Sequence, residues 1–340
     1  MNNNAVYIDA TTINEGGGFV LLEYFIDTLI NLDIECFVIG NSYLKNKLSV
    51  DVIIPSKCLL LKLYTVGVGP CLYFCNRGPI FPVKNSCVYL HTEYAAVALS
   101  KLFRFPIPNK RKLAHFINFL FNRVSYLFSK NQYFVQTERM RNLLIQELNI
   151  DSIVAPFFSV ITEPQGLDVS IKRDFCYVSY PWPHKNYDLL FNALLLPSDS
   201  EGLSFAVTIP DDGRFSGLLA LLEKVNSTSS HVVENLGVIS KMQVAETYLT
   251  SRAALFLSSR ESFGLPLIEA ASLGRPVVAP DLEYVNSVLA DVSYIDIKSS
   301  SRLIDDLTKY AQDLRDCSIR PSRVVVADDI SRIIDQLQGR

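Results

Sequence analysis

One segment near residue 265 most constrains the fold, because its pattern gives the order strand, loop, helix, strand. The apolar run at residues 253–257 predicts a short buried strand, and residues 276–279 predict another. Between them, Pro266 is a favoured first residue of a helix and Gly274 is a favoured stop. Strands joined through a helix are typical of a parallel sheet, which binds ligands at the carboxyl ends of its strands. The loop before Pro266 is therefore a candidate ligand-binding loop.

The rest of the chain repeats this alternation, which predicts two α/β domains. A length of 340 residues with 49% apolar side chains is enough for two cores. Further strands are predicted at 6–10, 35–40, 86–90, 132–136, 174–179, 204–209, 232–237 and 294–296, and residues 154–158 close the first half. The predicted boundaries are a first domain at 1–165, a second at 166–320, and a helical segment at 321–340 that packs back on the first.

Two glutamates flank the candidate loop. Glu261 lies in the loop, and Glu269 lies about one turn inside the predicted helix. The backbone N–H groups of Phe263, Gly264 and Leu265 at a helix N-terminus suit an anion such as a diphosphate. Glu269 is then placed to accept hydrogen bonds from a vicinal diol, and Glu261 to reach the group beyond the phosphates. The alternative is that both are solvated charges that favour a helix N-terminus.

A second candidate anion site precedes the helix predicted at 186–196, for which Asn186 is a good N-cap. Lys185 stands just before that helix, where its dipole disfavours a cation. A bound anion would explain the lysine. The alternative is an exposed lysine tolerated at small cost.

The first half offers a glycine loop and a histidine. Gly16, Gly17 and Gly18 lie at a strand-to-helix turn and let a ligand approach the backbone; the alternative is a tight turn without a ligand. They lack the Gly-x-Gly-x-x-Gly spacing of a nicotinamide-binding fold. His91 follows the strand at 86–90, where it is placed to contact a sugar hydroxyl or to serve a structural role.

A basic segment suggests a membrane surface. Residues 94–137 contain no acidic residue, but they contain Lys101, Arg104, Lys110, Arg111, Lys112, Arg123 and Lys130. A helix is predicted at 110–130, and we expect its apolar face to lie in the core: Leu113, Phe116, Ile117, Leu120, Val124, Leu127 and Phe128. Basic residues interleaved with aromatics across 101–130 suit an anionic membrane. The alternative is a buried helix with a solvated basic rim. No recognition motif suggests nucleic acid.

Several classes of protein are not expected. Seven unpatterned cysteines suit a reducing cytosol and argue against a disulfide framework or a zinc site. No pattern predicts a signal peptide or a transmembrane helix. Asp211 and Asp212 read as an ordinary turn more than as a cation site. We therefore expect a cytoplasmic protein that binds no metal.

Together these residues resemble the retaining glycosyltransferases of family four, which have the GT-B fold. The family's motif of two glutamates separated by seven residues stands at Glu261 and Glu269. Residues 270–278, 235–237 and 184–186 are also similar to the family, and the resemblance is strongest over 172–290. In one departure, the family often has an arginine five positions before the lysine, where this chain has Tyr180.

The resemblance implies an α/β, GT-B fold: two Rossmann-like domains with parallel sheets facing across a cleft. It implies that Glu269 takes the ribose hydroxyls, Glu261 the donor sugar, and Lys185 the diphosphate. It assigns catalysis to Glu261, Lys185 and His91. The remaining donor-binding residues it implies are Phe263, Gly264, Leu265, Gly17, Gly18, Tyr180 and Gly237.

The expected function is transfer of a hexose-type sugar from a nucleotide-sugar to a lipid-linked glycan in surface polysaccharide biosynthesis, such as that of lipopolysaccharide O-antigen. A UDP-sugar is favoured and GDP-mannose comes next. Transfer is expected to retain configuration, without metal or cofactor, at the inner face of the membrane. One alternative is an inactive glycosyltransferase-like scaffold, favoured by Tyr180 in place of arginine. Another is a sugar-nucleotide epimerase with the GT-B fold.

Overall fold

A computed structural model describes residues 5–14, 16–92, 109–167, 169–197 and 202–340, with the backbone alone at 109–112, 114 and 115. The chain divides into two compact units. The first unit is Met1–Ser159 together with Ala327–Arg340, and the second is Val160–Val326. The predicted aromatic and basic residues at 101–108 lie outside the described residues.

A parallel sheet forms the centre of the first unit. Within the described part of the chain it has seven strands in the order β3-β2-β1-β4-β5-β6-β7. They are β1 Val6–Asp9, β2 Cys36–Ile39, β3 Val52–Ile53, β4 Cys71–Tyr73, β5 Cys87–Leu90, β6 Gln132–Val135 and β7 Ile153–Val154. The described helices of this unit are α1 Gly17–Asn31, α2 Ser42–Lys45, α3 Lys57–Thr65, α4 Asn109–Ser129, α5 Glu138–Leu148 and, at the end of the chain, α12 Ile330–Gln338.

The second unit repeats the architecture. Its described strands form a parallel sheet of six in the order β10-β9-β8-β11-β12-β14, and β13 pairs antiparallel with β15. They are β8 Arg173–Tyr177, β9 Ser204–Val207, β10 Val232–Asn235, β11 Ser251–Leu255, β12 Val277–Pro280, β13 Leu289–Ala290, β14 Ser293–Ile295 and β15 Arg323–Val324. Its helices are α6 Tyr187–Leu194, α7 Ser216–Thr228, α8 Lys241–Leu249, α9 Leu265–Ser272, α10 Glu283–Asn286 and α11 Ser300–Arg315.

The central strands are buried because helices cover both faces of a parallel sheet. All four residues of β1, β5 and β12 are buried, which agrees with the apolar runs in the sequence. Strand β4 lies between β1 and β5, and no strand was predicted there. Its three residues are too few to show a period.

The end of the chain belongs to the first unit. The backbone N–H of Asp329 donates to the carbonyl of Pro156 at 2.7 Å, just before α12 begins. The Tyr24 hydroxyl on α1 donates to the carboxylate of Asp328. These bonds join the last helix to α1 and to the segment after β7.

Helix α4 reverses the predicted burial. Most of the face expected in the core is exposed, with 61% of Leu113, 52% of Ile117, 46% of Leu120, 43% of Val124, 64% of Leu127 and 60% of Phe128 accessible to solvent. The opposite face is buried and more polar: Phe119, Asn122, Ser125 and Ser129. The prediction for this face was therefore wrong. No described helix has the length and apolarity needed to cross a membrane.

Hydrogen bonds to the loop after β4 explain the reversal. The Asn122 side chain donates to the carbonyl of Asn76 at 2.9 Å and accepts from the N–H of Gly78 at 3.2 Å. The Ser125 hydroxyl donates to the carbonyl of Pro79 at 2.6 Å. A buried backbone group left without a partner costs about 1–3 kcal/mol. The inner face of α4 is therefore set by the polar backbone that it satisfies.

Candidate functional site

The segment around residue 265 has the predicted order of strand, loop, helix and strand, from β11 through α9 to β12. The residue before α9 is Gly264, whose φ of 91° lies in the left-handed region. A Cβ there would also stand 2.9 Å from the Leu267 side chain, so both the backbone and the packing favour glycine. Gly274, with a φ of 68°, follows the end of the helix as predicted.

Lys185 and Glu261 form a close ion pair, although 76 positions separate them. Lys185 ends a single turn of 3-10 helix, Pro183–Lys185, and is 8% exposed. Its ammonium donates to Oε1 of Glu261 and lies 4.7 Å from the ring centroid of Phe256. The structure therefore places a mostly desolvated cation beside the loop that leads into α9.

Three hydrogen bonds fix the turn that carries Lys185. The Tyr177 hydroxyl donates to the carbonyl of Lys185 at 2.6 Å, and the N–H of Ser259 donates to the carbonyl of His184 at 2.8 Å. The Asn186 side chain donates to the carbonyl of Leu257 at 2.8 Å. Asn186 is the N-cap residue of α6 as predicted, but its side chain makes no capping hydrogen bond. Its side chain instead ties the lysine turn to the loop after β11.

His184 is a neighbour of the ion pair that sequence reasoning did not single out. Its Nε2 lies 3.9 Å from Oε1 of Glu261. Burial lowers the pKa of His184, and the charge of Glu261 opposes that shift. The imidazole is therefore neutral at neutral pH and leaves Lys185 as the cation at this carboxylate. An incoming anion would compete with Glu261 for the ammonium.

Glu269 has a carboxyl group whose pKa lies near neutral pH. It lies half-buried on α9, near Tyr248 and Lys241 of α8. Burial raises the pKa of Glu269 to about 7, against the opposing charge of Lys241 and a hydrogen bond from Tyr248. Such a group changes its charge within the physiological pH range, a property that is enriched at functional sites.

Asn235 joins the carboxyl ends of β9 and β10. Its Oδ1 accepts from the N–H of Ile209 at 2.9 Å and from the N–H of Gly237 at 3.2 Å, and its Nδ2 donates to the carbonyl of Ile209 at 3.0 Å. Gly237 has a φ of 66°, and no atom lies within 4 Å of the position that a Cβ would take. The predicted donor-binding glycine thus stands beside open space at the carboxyl edge of the sheet.

Tyr180 lies in an aromatic cluster. Its ring centroid is 4.9 Å from that of Trp182 and 5.4 Å from that of Phe215. The Cζ of Arg214 lies 5.6 Å from the centroid of Tyr180. Sequence reasoning noted Tyr180 as a departure from the family but did not find Arg214 and Phe215 beside it, because these two come from the loop between β9 and α7.

In the first unit, His91 and Gly18 are adjacent. A Cβ on Gly18 would stand 3.2 Å from Nε2 of His91, so the histidine leaves little room for a side chain there. The His91 ring stacks on Phe74 at 4.8 Å, and its Nε2 lies 3.2 Å from Nδ2 of Asn76. Gly17 is the first residue of α1. The structure therefore brings the predicted glycine loop and the predicted histidine together.

The buried surroundings of His91 favour its neutral form. Burial lowers its pKa to about 4, so the imidazole carries no charge at neutral pH. The neighbouring amide fits a tautomer in which Nε2 accepts from Asn76 and Nδ1 carries the proton. Within the part of the chain that the structure describes, the buried Nδ1 has no hydrogen-bond partner. The geometry suits a hydrogen bond to a ligand better than an ionic contact.

A second polar cluster in the first unit escaped sequence reasoning. Asp9, fully buried at the end of β1, accepts from the Thr11 hydroxyl at 2.8 Å, from the Cys75 thiol at 2.9 Å and from the Tyr64 hydroxyl. Arg77 lies 5.6 Å from the Tyr64 ring centroid. The members of this cluster come from the end of β1, the loop after it, α3 and the loop after β4. They are far apart in the sequence, so only the tertiary structure reveals the cluster.

Comparison with known proteins identifies the type of fold. Residues 170–314, most of the second unit, match the family model described as Glycosyl transferases group 1. This match confirms the predicted family resemblance and supports a transferase. No curated protein matches the chain. The predicted α/β, GT-B fold class is likewise confirmed by similar solved structures.

Three solved structures show the extent of the similarity. WaaG, a glycosyltransferase involved in lipopolysaccharide biosynthesis, has a TM-score of 0.69 at 13% identity, covering 98% of this chain and 100% of its own. Sucrose-phosphate synthase from Thermosynechococcus elongatus has 0.67 at 11%, covering 99% and 94%. Anabaena HepE, solved with UDP and glucose, has 0.62 at 14%, covering 98% and 95%. At these identities the similarity concerns the fold.

Proposed function

We propose that the chain is a retaining hexosyltransferase that takes its donor, a nucleotide-sugar, into the second unit. The observation that carries the proposal is the set of Lys185, Glu261 and Glu269 at the carboxyl edge of the second sheet. A buried cation, a helix N-terminus and a carboxyl group within one loop system fit a diphosphate flanked by a ribose and a sugar.

The chemistry follows from where charge develops. Glycosyl transfer passes through an oxocarbenium-like transition state while negative charge grows on the leaving diphosphate. Lys185 and the backbone N–H groups of Gly264 and Leu265 at the start of α9 would stabilise that charge, and one such donor typically contributes roughly 2.7–4 kcal/mol. Glu261 would release Lys185 to the diphosphate and accept hydrogen bonds from the donor sugar. We propose transfer from the front face with retention and without a metal, since these groups already offset the charge.

The donor and acceptor are proposed from the similar structures. HepE was solved with UDP and glucose, which favours a UDP-sugar, with GDP-mannose next. WaaG is involved in lipopolysaccharide biosynthesis, which favours a lipid-linked glycan acceptor for a surface polysaccharide. In the first unit, the neutral His91, next to Gly18, would form a hydrogen bond with a sugar hydroxyl.

Nucleotide binding to variants tests the proposal. Isothermal titration of UDP and GDP into the wild type should identify the base, and Glu269→Ala should abolish binding because no group then accepts from the ribose. Lys185→Gln should weaken binding and lower the rate of sugar release from UDP-glucose or GDP-mannose. Glu223→Gln, on an exposed position of α7, is the control. Unchanged binding and turnover in Glu269→Ala would show that the site is elsewhere.

We further propose that the exposed face of α4 places the protein on an anionic membrane, where a lipid-linked acceptor resides. Leu113, Ile117, Leu120, Val124 and Leu127 recur at helical spacing and are all exposed, and Phe128 extends the row. From the first to the last of these the stripe spans about 21 Å at 1.5 Å per residue. Exposed Arg123 and Lys130 stand beside it. An apolar stripe with basic neighbours is the pattern of an interfacial helix.

Vesicle sedimentation tests the membrane proposal. The wild type should bind vesicles rich in phosphatidylglycerol more tightly than vesicles of phosphatidylcholine. Leu120→Gln with Leu127→Gln should weaken binding to the anionic vesicles by tenfold or more, because each buried leucine contributes roughly 1.5–3 kcal/mol. Leu61→Gln, which changes a 66% exposed leucine on α3, should have no effect. Equal binding by the double variant and the control would exclude this face as the contact.

A further inference from the structure

A second cation, Arg214, contacts the loop that carries Lys185. Strands β8 and β9 are parallel neighbours, with Tyr177 beside Val207 at their carboxyl ends. The loop after β8 carries Tyr180 and Lys185, and the loop after β9 carries Arg214. The two loops meet where the Cζ of Arg214 lies 5.6 Å from the ring centroid of Tyr180. Both loops therefore leave the same edge of the sheet and are in contact.

The position of Arg214 is held from two sides. The Asp212 carboxylate accepts from Nε at 2.9 Å and from Nη2 at 2.5 Å, and its other oxygen accepts from the backbone N–H of Arg214 at 3.1 Å. The rings of Tyr180 and Phe215 lie 5.6 and 5.8 Å from Cζ. Even so, 53% of the Arg214 side chain is exposed. The guanidinium is thus oriented while remaining accessible to a ligand.

This arrangement has little value for stability alone. Exposed ion pairs contribute little to stability, because water and salt screen the attraction between the charges. A guanidinium has five N–H donors in a fixed plane, so it is able to hold a carboxylate and a phosphate oxygen at once. The two aromatic rings and the carboxylate fix the direction of an exposed guanidinium. A bound anion explains this orientation better than a contribution to stability does.

We propose that Arg214 binds the donor's β-phosphate and that the ring of Tyr180, packed against the guanidinium, positions Arg214 for this contact. In the resembled family an arginine often occupies the position of Tyr180. Here the cation is delivered from the neighbouring loop, and an aromatic ring stands where the arginine would begin. The inference rests on the proposed function, because it assigns a residue to the diphosphate of that donor. It also removes the main support for an inactive scaffold, which was the absence of an arginine at 180.

Paired nucleotides isolate the contribution of the β-phosphate. Dissociation constants for UDP and UMP, and for GDP and GMP, are measured by isothermal titration, and the base that the wild type prefers is used. In Arg214→Ala the preference for the diphosphate over the monophosphate should fall by about tenfold or more, the range of a hydrogen bond to a charged group. Arg214→Lys should retain part of it. A variant that is merely less stable would weaken both nucleotides equally.

A control and a rescue complete the experiment. Arg302 on α11 is 70% exposed and pairs with Asp296 at 2.8 Å, so Arg302→Ala removes a comparable ion pair from the same unit. Its diphosphate preference should equal that of the wild type. Tyr180→Arg in the Arg214→Ala background should restore the preference, since position 180 lies directly beside the lost guanidinium.

The outcomes separate this inference from the proposed function. If Glu269→Ala abolishes nucleotide binding while Arg214→Ala keeps the full diphosphate preference, Arg214 has no phosphate role and the proposed function stands. If the wild type binds neither UDP nor GDP, the proposed function and the role of Arg214 are both wrong. A reduced preference that Tyr180→Arg restores supports the assignment.

Discussion

Replacing Glu269 with glutamine should change how the stability of the second unit depends on pH. The folded-state pKa of Glu269 is about 7, against an ordinary value of 4.5, because burial disfavours the charged form. The neutral carboxyl is therefore preferred in the folded state. Its contribution to stability is fully present below pH 4.5 and is lost as the pH rises through 7. Above pH 7 the protein carries a carboxylate that its surroundings solvate poorly.

The size of the effect follows from the two pKa values. Their difference corresponds to at most about 3 kcal/mol in the free energy of unfolding. Between pH 4.5 and 7 the free energy should fall by about 1.4 kcal/mol per pH step of one, because the folded state holds one more proton than the unfolded state. Glutamine has the same shape and no charge, so Glu269→Gln lacks this loss. The free energy of unfolding of the variant should therefore increase relative to that of the wild type as the pH rises.

Urea unfolding between pH 4 and 8.5 measures the difference. The chain has one tryptophan, Trp182, which lies in the second unit and reports its unfolding by fluorescence. The pH dependence contributed by all other groups cancels when the free energy of unfolding of the wild type is subtracted from that of the variant. The difference should rise by about 3 kcal/mol across this range and then level off. Glu223→Gln, an exposed glutamate of the same unit, is the control. A difference that stays flat with pH would refute the argument from burial.

Two further predictions concern the ligand and the fold. The affinity for the bound nucleoside diphosphate should be roughly tenfold weaker at pH 6 than at pH 8, because the pKa of Glu269 is about 7 and only the carboxylate accepts both ribose hydroxyls. Titration calorimetry measures this, and a pH dependence that survived unchanged in Glu269→Gln would assign it to another group. Gly78→Ala should destabilise the first unit by about 1–3 kcal/mol, since its Cβ would stand 2.5 Å from Oγ of Ser125. Thermal unfolding checks this against Gly217→Ala, which meets no atom within 4 Å, and equal midpoints for the two variants would contradict it.

Much of the fold could be predicted because it depends on local pattern. Short apolar runs alternating with helical patterns gave most strands of both parallel sheets, with ends within a few residues of those observed. The prediction failed between residues 40 and 86, where α2, α3, β3 and β4 lie. Strands of two or three residues carry no period, so their place in the sheet depends on neighbours far along the chain.

The exposed face of α4 shows what hydrophobic periodicity is unable to predict. The period located an apolar face correctly, but it does not say what that face meets. Buried Asn122 and Ser125 satisfy the backbone of the loop after β4, and that loop was not predicted. Once those polar groups are inside, the apolar residues on the other face are left outside.

The sequence by itself determined which residues stand at the carboxyl ends of strands, because strand order and chemistry are both local features. It placed Glu261, Lys185 and His91 in loops there and Glu269 on the helix that follows, and it showed that position 180 lacks an arginine. Only the tertiary structure decided what these side chains contact. It paired Lys185 with Glu261 and set the pKa of Glu269 by burial. It also laid Arg214 over Tyr180, because these contacts join loops that the packing of parallel strands brings to one edge.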